Sequence, residues 1–404
     1  MEVAQIIQTG IAEGIFPGAV VYLGGGATKP YHEAFGHCML MPEKRLMERE
    51  TVFDLASLTK PIVVGTLMLR LAERGDVEFD VPFREYVPEF VHPQMTVRHL
   101  LTHTSGLPAW RPLYLAATDF VRSQPCVADS PTEGRRRKAP YNGRYAPSDE
   151  GAEKKKNSSV SSGAAFIPKS EIPPTATQGC LRTKLVDYLC RLELEYPTGA
   201  KVVYSCLGYI LLGKLIEKLT GQPLDRLAQE WIFEPLGMQM TRYNPPPDWA
   251  ERCAATEDSN SAEQRMTNYQ RYDWRKGVIV GEVHDENAHF LGGVSGNAGL
   301  FSTASDLATF CEMLLAKGDG VLEPESVKQM ATVYTNGLDT ARSIGWIVLA
   351  DGSLYHTGFT GTSIRVHLER KLYGILLTNR VHPDASRPGI VEFRSKFYSA
   401  VFGG

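Results

Sequence analysis

Ser57 and Lys60 stand three residues apart in Phe53-Asp54-Leu55-Ala56-Ser57-Leu58-Thr59-Lys60-Pro61-Ile62-Val63-Val64, and a long apolar run with helical spacing follows. If the serine opens that helix, residues i and i+3 share a face and the hydroxyl can meet the amine. A serine hydroxyl is a weak nucleophile until a neighbouring base takes its proton. A lysine can do so only as a neutral amine, which requires burial or nearby cations. The pattern S-x-x-K is common by chance, and a capping serine with a surface lysine satisfies it equally well. Its meaning therefore depends on what the rest of the chain brings to it.

Several other groups invite chemistry. Tyr204-Ser205-Cys206 and His356-Thr357-Gly358 offer a phenol, a thiol and an imidazole. Cys206 is a conceivable rival nucleophile, but no histidine is placed by sequence to activate it. His99 and His103 have the i, i+4 spacing of a helical metal pair, yet no glutamate sits between them as in H-E-x-x-H and no third ligand is evident. His103 reads better as bracing a turn. His284 and His289, five apart in His284-Asp285-Glu286-Asn287-Ala288-His289, do not share a helical face, and that stretch reads as a loop lining a cleft. Gly24-Gly25-Gly26 lacks the helix and Lys-Ser/Thr of a phosphate loop. No G-x-S-x-G elbow occurs, which disfavours an α/β-hydrolase.

The elements that must position these groups follow from periodicity. Val3, Ile6, Ile7, Ile11 and Ile15 predict a helix that Pro17-Gly18 ends. Ala19 to Leu23 and Tyr31 to Gly36 read as paired strands. The helix after Ser57 runs through Leu71 and stops at Gly75. Thr96 to Pro108 begins helical and ends in a turn. Lys201 to Cys206 is short and extended, and Leu207 to Leu219 is a mostly buried helix. Residues 241–290 look irregular, an excursion able to wall a pocket. Gly292 to Leu300 is a tight small-residue turn, and a helix over Leu307 to Leu315 follows capping residues. Strands are expected at Ser343–Leu349, Leu354–Thr357, Thr362–Leu368 and Tyr373–Thr378, and an amphipathic helix from Ile390 to Val401. Residues 123–181 carry Arg135-Arg136-Arg137-Lys138 and Lys154-Lys155-Lys156 among Ser, Gly and Pro; they read as a disordered insertion with too little apolar surface to offset ordering.

Ser57-x-x-Lys60, Tyr204-Ser205-Cys206 and His356-Thr357-Gly358 occur in that order, together with Leu100-Leu101-Thr102-His103-Thr104-Ser105-Gly106-Leu107, Glu234-Pro235-Leu236-Gly237-Met238 and Ala298-Gly299-Leu300-Phe301-Ser302-Thr303-Ala304. In these motifs the sequence resembles the serine β-lactamase and penicillin-binding-protein superfamily. The likeness is to its class C-like branch, which includes family VIII-type esterases, D-aminopeptidases and muropeptide amidases. The resemblance implies an α/β, β-lactamase/transpeptidase-like fold, with an antiparallel sheet of N- and C-terminal strands flanked by helices. Residues 1–56 and 300–404 would form that part, and 57–299 a mainly helical part beside it. It also implies roles: Ser57 is acylated, Lys60 and Tyr204 share the proton work with the phenol oxygen between hydroxyl and amine, and the backbone N–H groups of Ser57 and Phe359 form the oxyanion hole. Cys206, His356, Thr357 and Gly358 would contact substrate. No cofactor or metal is implied.

Two positions depart from that pattern. The second motif often ends in Asn, and Cys206 offers a weaker hydrogen bond and no amide. The third begins with Lys in lactamases and D,D-peptidases; His356 is what D-aminopeptidase-like and some esterase-like relatives carry. Both changes argue against strong β-lactam hydrolysis and leave ester or amide hydrolysis open. The expected partner is a small ester, amide or β-lactam-like substrate. A D-amino-acid peptidase or muropeptide amidase is the alternative enzyme, and a catalytically inactive scaffold is the alternative of another class.

Bulk properties agree with a globular enzyme. The 404 residues are 43% hydrophobic, ample for a sizeable core. A net charge of −3 gives no basic field for nucleic acid or a membrane surface. Seven scattered cysteines with no C-x-x-C pair fit free thiols in a reducing compartment. No signal peptide or membrane-length apolar run is seen, so a cytoplasmic protein is expected.

Overall fold

The computed structural model describes residues 3–26, 29–116, 185–269 and 272–403. The expected insertion at 123–181 lies outside the described residues. The dominant element is a seven-stranded antiparallel sheet built from both ends of the chain. Helix α1 (Val3–Ala12) leads into β1 (Gly18–Gly24), β2 (Tyr31–Met39) and the short β3 (Arg45–Leu46). The C-terminal strands are β7 (Ile347–Val348), β8 (Leu354–Thr357), β9 (Ser363–His367) and β10 (Leu372–Thr378), and the sheet order is β3-β2-β1-β10-β9-β8-β7. Val20 lies opposite Leu377, joining the two halves at the sheet's centre.

Both faces of this sheet are covered, which explains the unbroken apolar runs of β1 and β10. Side chains alternate between faces. Val20, Ile375 and Leu377 enter the large core beneath the helical part of the chain. Ala19, Val21 and Leu376 enter a second core against α1 and the terminal helix Ile390–Phe402. The same alternation in β8 puts Leu354 and His356, both buried, on one face.

A second, three-stranded sheet holds β4 (Phe53–Asp54), β5 (Arg242–Tyr243) and β6 (Leu300–Ser302), in the order β4-β6-β5. It ties the stretch before Ser57 to the end of the small-residue turn. The turn itself packs on helix α2 (Cys206–Thr220), where Gly296 lies so close that a Cβ would overlap the Tyr209 carbonyl.

Some expectations changed. Ser343–Leu349 is not one strand: Gly345, at φ +83, makes a tight turn closed by Ser343 N donating to the Trp346 carbonyl at 3.0 Å, so β7 begins only at Ile347. The region 241–290 is less irregular than its composition suggests, with helices at Ser261–Thr267 and Glu286–Phe290. A further helix, with no counterpart among the sequence expectations, spans Pro324–Ala331. Cys206 is the first residue of its helix, with Ser205 as the cap. Among the described residues, no helix is long and apolar enough to cross a membrane.

Replacing Gly296 by alanine forces the turn and the helix apart. We expect it to cost about 1–3 kcal/mol of stability, the usual range for overpacking, measured by chemical denaturation.

Candidate active site

Ser57 sits on a bend held from several sides. Ala56 has φ +47, a region that costs a residue with a Cβ about 1–2 kcal/mol. Its backbone N–H donates to Asp54 Oδ1 at 2.8 Å, and Asp54 Oδ2 accepts the His284 N–H at 2.7 Å. The hydroxyls of Thr360 and Thr362 donate to the carbonyls of Asp54 and Leu55, at 2.7 and 3.0 Å. Thr59 Oγ1 donates to the Ala56 carbonyl at 2.7 Å and accepts from Leu300 N at 3.2 Å. Strain of this kind persists only where neighbours over-determine it. The bend leaves Ser57 half-buried at the rim of a cavity.

After a short 3₁₀ turn at Ala56–Leu58, the chain winds as one π-helical turn over Lys60–Gly65 before regular helix begins at Thr66. Pro61 has no N–H to give to a tighter turn, which accounts for the widening. Lys60 is fully buried. Its Nζ donates to Ser57 Oγ at 3.0 Å and to the Asn297 carbonyl at 2.8 Å, with Cys206 Sγ at 3.6 Å. Burial lowers the pKa of Lys60, whereas its coupling to the ionisable Cys206 and Tyr204 raises it, and the net direction is up. Burial pushes the Cys206 thiol up against the opposing pull of Lys60, so thiolate is scarce there.

Tyr204 comes from an extended stretch strapped to the Leu100–Pro108 segment. Val203 N donates to the His103 carbonyl at 2.9 Å, Ser205 N to His103 Nδ1 at 3.0 Å, and Ser205 Oγ to the Pro108 carbonyl at 2.7 Å. His103 thus braces a turn, as expected, and its ring lies tilted against that of Tyr204, the centres 4.5 Å apart. His99 is turned to another task, its Nδ1 accepting the Thr96 N–H as part of a helix cap. Lys60 Nζ lies 4.9 Å from the centre of the Tyr204 ring. The Tyr204 hydroxyl is buried without a hydrogen bond, although Lys60 and Ser57 are near enough to act on its ionisation. Burial wins over Lys60, and the phenol's pKa is raised. Such a gap is common in unliganded sites, where catalytic hydrogen bonds tighten when substrate arrives.

The third motif forms the opposite wall. His356, Thr357, Gly358 and Phe359 line a cavity of about 400 Å³ that also contains Ser57, Tyr204 and Arg342. Gly358 permits close approach, since a Cβ there would overlap the Leu55 carbonyl and the Thr362 hydroxyl. Among the described residues, neither the Ser57 nor the Phe359 backbone N–H donates a hydrogen bond. Burial and the charge of Arg342 lower the pKa of His356 well below its ordinary value. His284 does not line the cavity; it pairs with Glu257 at 3.0 Å and stacks under Phe359 at 5.5 Å. Cys206 touches Lys60 rather than the cavity wall. Sequence reasoning missed Asn297, Asp54 and Arg342. The first lay inside a motif already singled out for its turn, whereas Arg342 carries no local signal.

The beta-lactamase family model matches residues 3–394. The chain belongs to the β-lactamase family. It is a hydrolase of that family, and it is similar to the N-acetylmuramyl-L-alanine amidase of Bacillus subtilis (strain 168), with 29% identity covering 96% of this chain and 82% of the relative. It is 31% identical to a putative D-alanyl-D-alanine carboxypeptidase of Escherichia coli (strain K12), covering 89% of this chain and 77% of the relative. Among solved structures, EstCE1, a hydrolase with promiscuous acyltransferase activity, superposes with a TM-score of 0.66 at 20% identity, over 99% of this chain and 97% of that one. That likeness establishes the shared fold.

Asp54→Asn would set an amide NH₂ against one of two buried backbone donors. A loss of about 1–3 kcal/mol is expected, read by chemical denaturation, together with slower turnover because the Ser57 bend loosens.

Proposed function

We propose that Ser57 is the nucleophile of a serine hydrolase that acts on a small ester or amide. The observation that carries this reading is the buried Lys60 ammonium group held 3.0 Å from Ser57 Oγ and beside the Tyr204 ring. Ser57 Oγ attacks the carbonyl carbon as its proton passes to the Lys60–Tyr204 pair. The oxyanion forms against the free N–H groups of Ser57 and Phe359. The pair returns the proton to the leaving alcohol or amine as its bond to carbon breaks, leaving Ser57 acylated. Water then attacks the acyl-enzyme by the reverse route and frees the acid. Loss of one oxyanion donor typically costs 100-fold or more.

Within this reading His356, Thr357 and Gly358 form the strand edge along which substrate lies, and Cys206 helps hold Lys60. The cleft falls at the seam between the sheet-bearing part, 1–56 and 300–404, and the mainly helical part, 57–299. A D-amino-acid peptidase or muropeptide amidase is the second reading, favoured by the names of the relatives. The neutral His356 supports neither strong β-lactam hydrolysis nor tight holding of substrate by this strand alone. Five described cysteines, Cys38, Cys190, Cys206, Cys253 and Cys311, are unpaired, which supports a reducing, cytoplasmic setting.

An active-site fluorophosphonate should label Ser57, and Ser57→Ala should abolish both labelling and turnover; full turnover in that variant would end the assignment. p-Nitrophenyl acyl esters, D-alanyl anilides and a chromogenic cephalosporin rank the substrates, while an inactive scaffold would react with none. Tyr204→Phe should fold normally and lose about 100-fold or more in kcat, the usual contribution of acid–base catalysis. The pair must lose one proton to act as a base, and both of its pKa values are raised. kcat/KM on a neutral ester should therefore climb as pH rises above 7; a plateau already reached at pH 6.5 would contradict this.

A further inference from the structure

The peptide between Gly358 and Phe359 is weakly restrained by its own residues. Gly358 must lack a side chain, since a Cβ would overlap the Leu55 carbonyl and the Thr362 hydroxyl. A glycine turns its peptide planes more freely than any other residue. The orientation of this plane matters, because a trans peptide points its C=O and its N–H in opposite directions. In one orientation the Phe359 N–H is offered to the cleft. In the other the Gly358 carbonyl stands in its place and repels an oxyanion.

Arg394 decides between the two. It comes from the terminal helix Ile390–Phe402, 36 residues along the chain from Gly358, and is 7% exposed. Its Nη2 donates to the Gly358 and Thr362 carbonyls, both at 2.9 Å. Gly361 N adds a longer bond to the same Gly358 carbonyl, at 3.2 Å. In this orientation the Phe359 N–H points away from the guanidinium and donates to nothing among the described residues. The reversed plane would set that N–H against the guanidinium and strip Nη2 of an acceptor. Burial disfavours the charge of Arg394, yet an arginine stays ionised in proteins, so the mismatch would be costly. Arg380 makes a similar bond one peptide further on, its Nε donating to the Phe359 carbonyl at 3.0 Å. That carbonyl belongs to the next peptide plane, so the two arginines hold adjacent planes separately.

We propose that Arg394 is a positioning residue for the oxyanion hole: by holding the Gly358 carbonyl, it locks the Phe359 N–H toward the cleft. It acts through that peptide rather than on the substrate. The same nitrogen fixes the far end of the turn through Thr362, whose carbonyl also accepts the Gly358 N–H at 2.7 Å. The proposal rests on Ser57 being the nucleophile, and it names the side chain that keeps the second donor of that site in place.

The test uses the full-length protein with p-nitrophenyl butyrate and the matching thionoester, in which sulfur replaces the carbonyl oxygen. Sulfur accepts hydrogen bonds weakly, so the wild type should favour the oxygen ester, and the size of that preference reports on the hole. Arg394→Met should lower kcat/KM on the oxygen ester by at least ~10-fold, chiefly through kcat, as expected for a donor misaligned rather than lost outright. It should also narrow the preference for oxygen over sulfur. Arg380→Met removes the same charge from the same cavity but leaves this peptide held, so its preference should match that of the wild type. Arg394→Lys keeps a donor for the carbonyls and should retain more of the preference than Arg394→Met; it carries the test if the methionine variant does not fold. Equal losses on both esters in the Arg394 variants, or the same narrowing in Arg380→Met, overturn the proposal. Wild-type protein that a fluorophosphonate does not label would instead overturn the nucleophile assignment.

Discussion

The structure depends on burying one ammonium group. Lys60 is removed from water and given a hydroxyl, a carbonyl and a sulfur in exchange. A lysine in such a place is costly unless its donors are used. Each acceptor comes from a different part of the chain: Ser57 from the bend before its own helix, Asn297 from the small-residue turn, Cys206 from the start of a long buried helix. Satisfying one side chain thus fixes three segments against one another. The other contacts around the bend, from Asp54, Thr59, Thr360 and Thr362, hold the same assembly from outside.

Much of the site was legible because its chemistry is compressed into short motifs. The three-residue spacing of Ser57 and Lys60 does bring hydroxyl and amine together, although through a 3₁₀ turn and a π-helical turn rather than a plain α-helix. The bracing role of His103 was readable from its place at the end of a helical run. The strands of both termini announced themselves by apolar runs, and they pair in one sheet. What escaped was long-range or backbone-borne. Asn297 acts through its carbonyl, which no side-chain pattern advertises. Arg342 sits on a loop, brought to the cleft by the Gly345 turn that also shortened the expected strand. Asp54 acts on the backbone of Ala56 and His284, two partners far apart in sequence.

The electrostatic character of the cleft also arises from placement rather than composition. The chain as a whole is slightly acidic, yet Arg342, Arg380 and Arg394 converge on one cavity. Two of them stitch the Gly358–Thr362 loop and its surroundings through backbone carbonyls. Their charge is thereby used for architecture while still biasing the field that a substrate meets. Burial and that field together keep His103 and His356 neutral. Near physiological pH the cleft thus holds a stable pattern of charge.

The pairing of β1 with β10 sets the order in which this protein can be completed. The strand at 18–24 leaves the ribosome early, but its neighbour at 372–378 is made almost last. Until then one edge of β1, with Val20 and Val21 on its two faces, has no sheet to join. Non-local closure of this kind is slow and leaves a sticky intermediate. A chain interrupted before residue 372 would therefore be an aggregation hazard rather than a smaller folded unit.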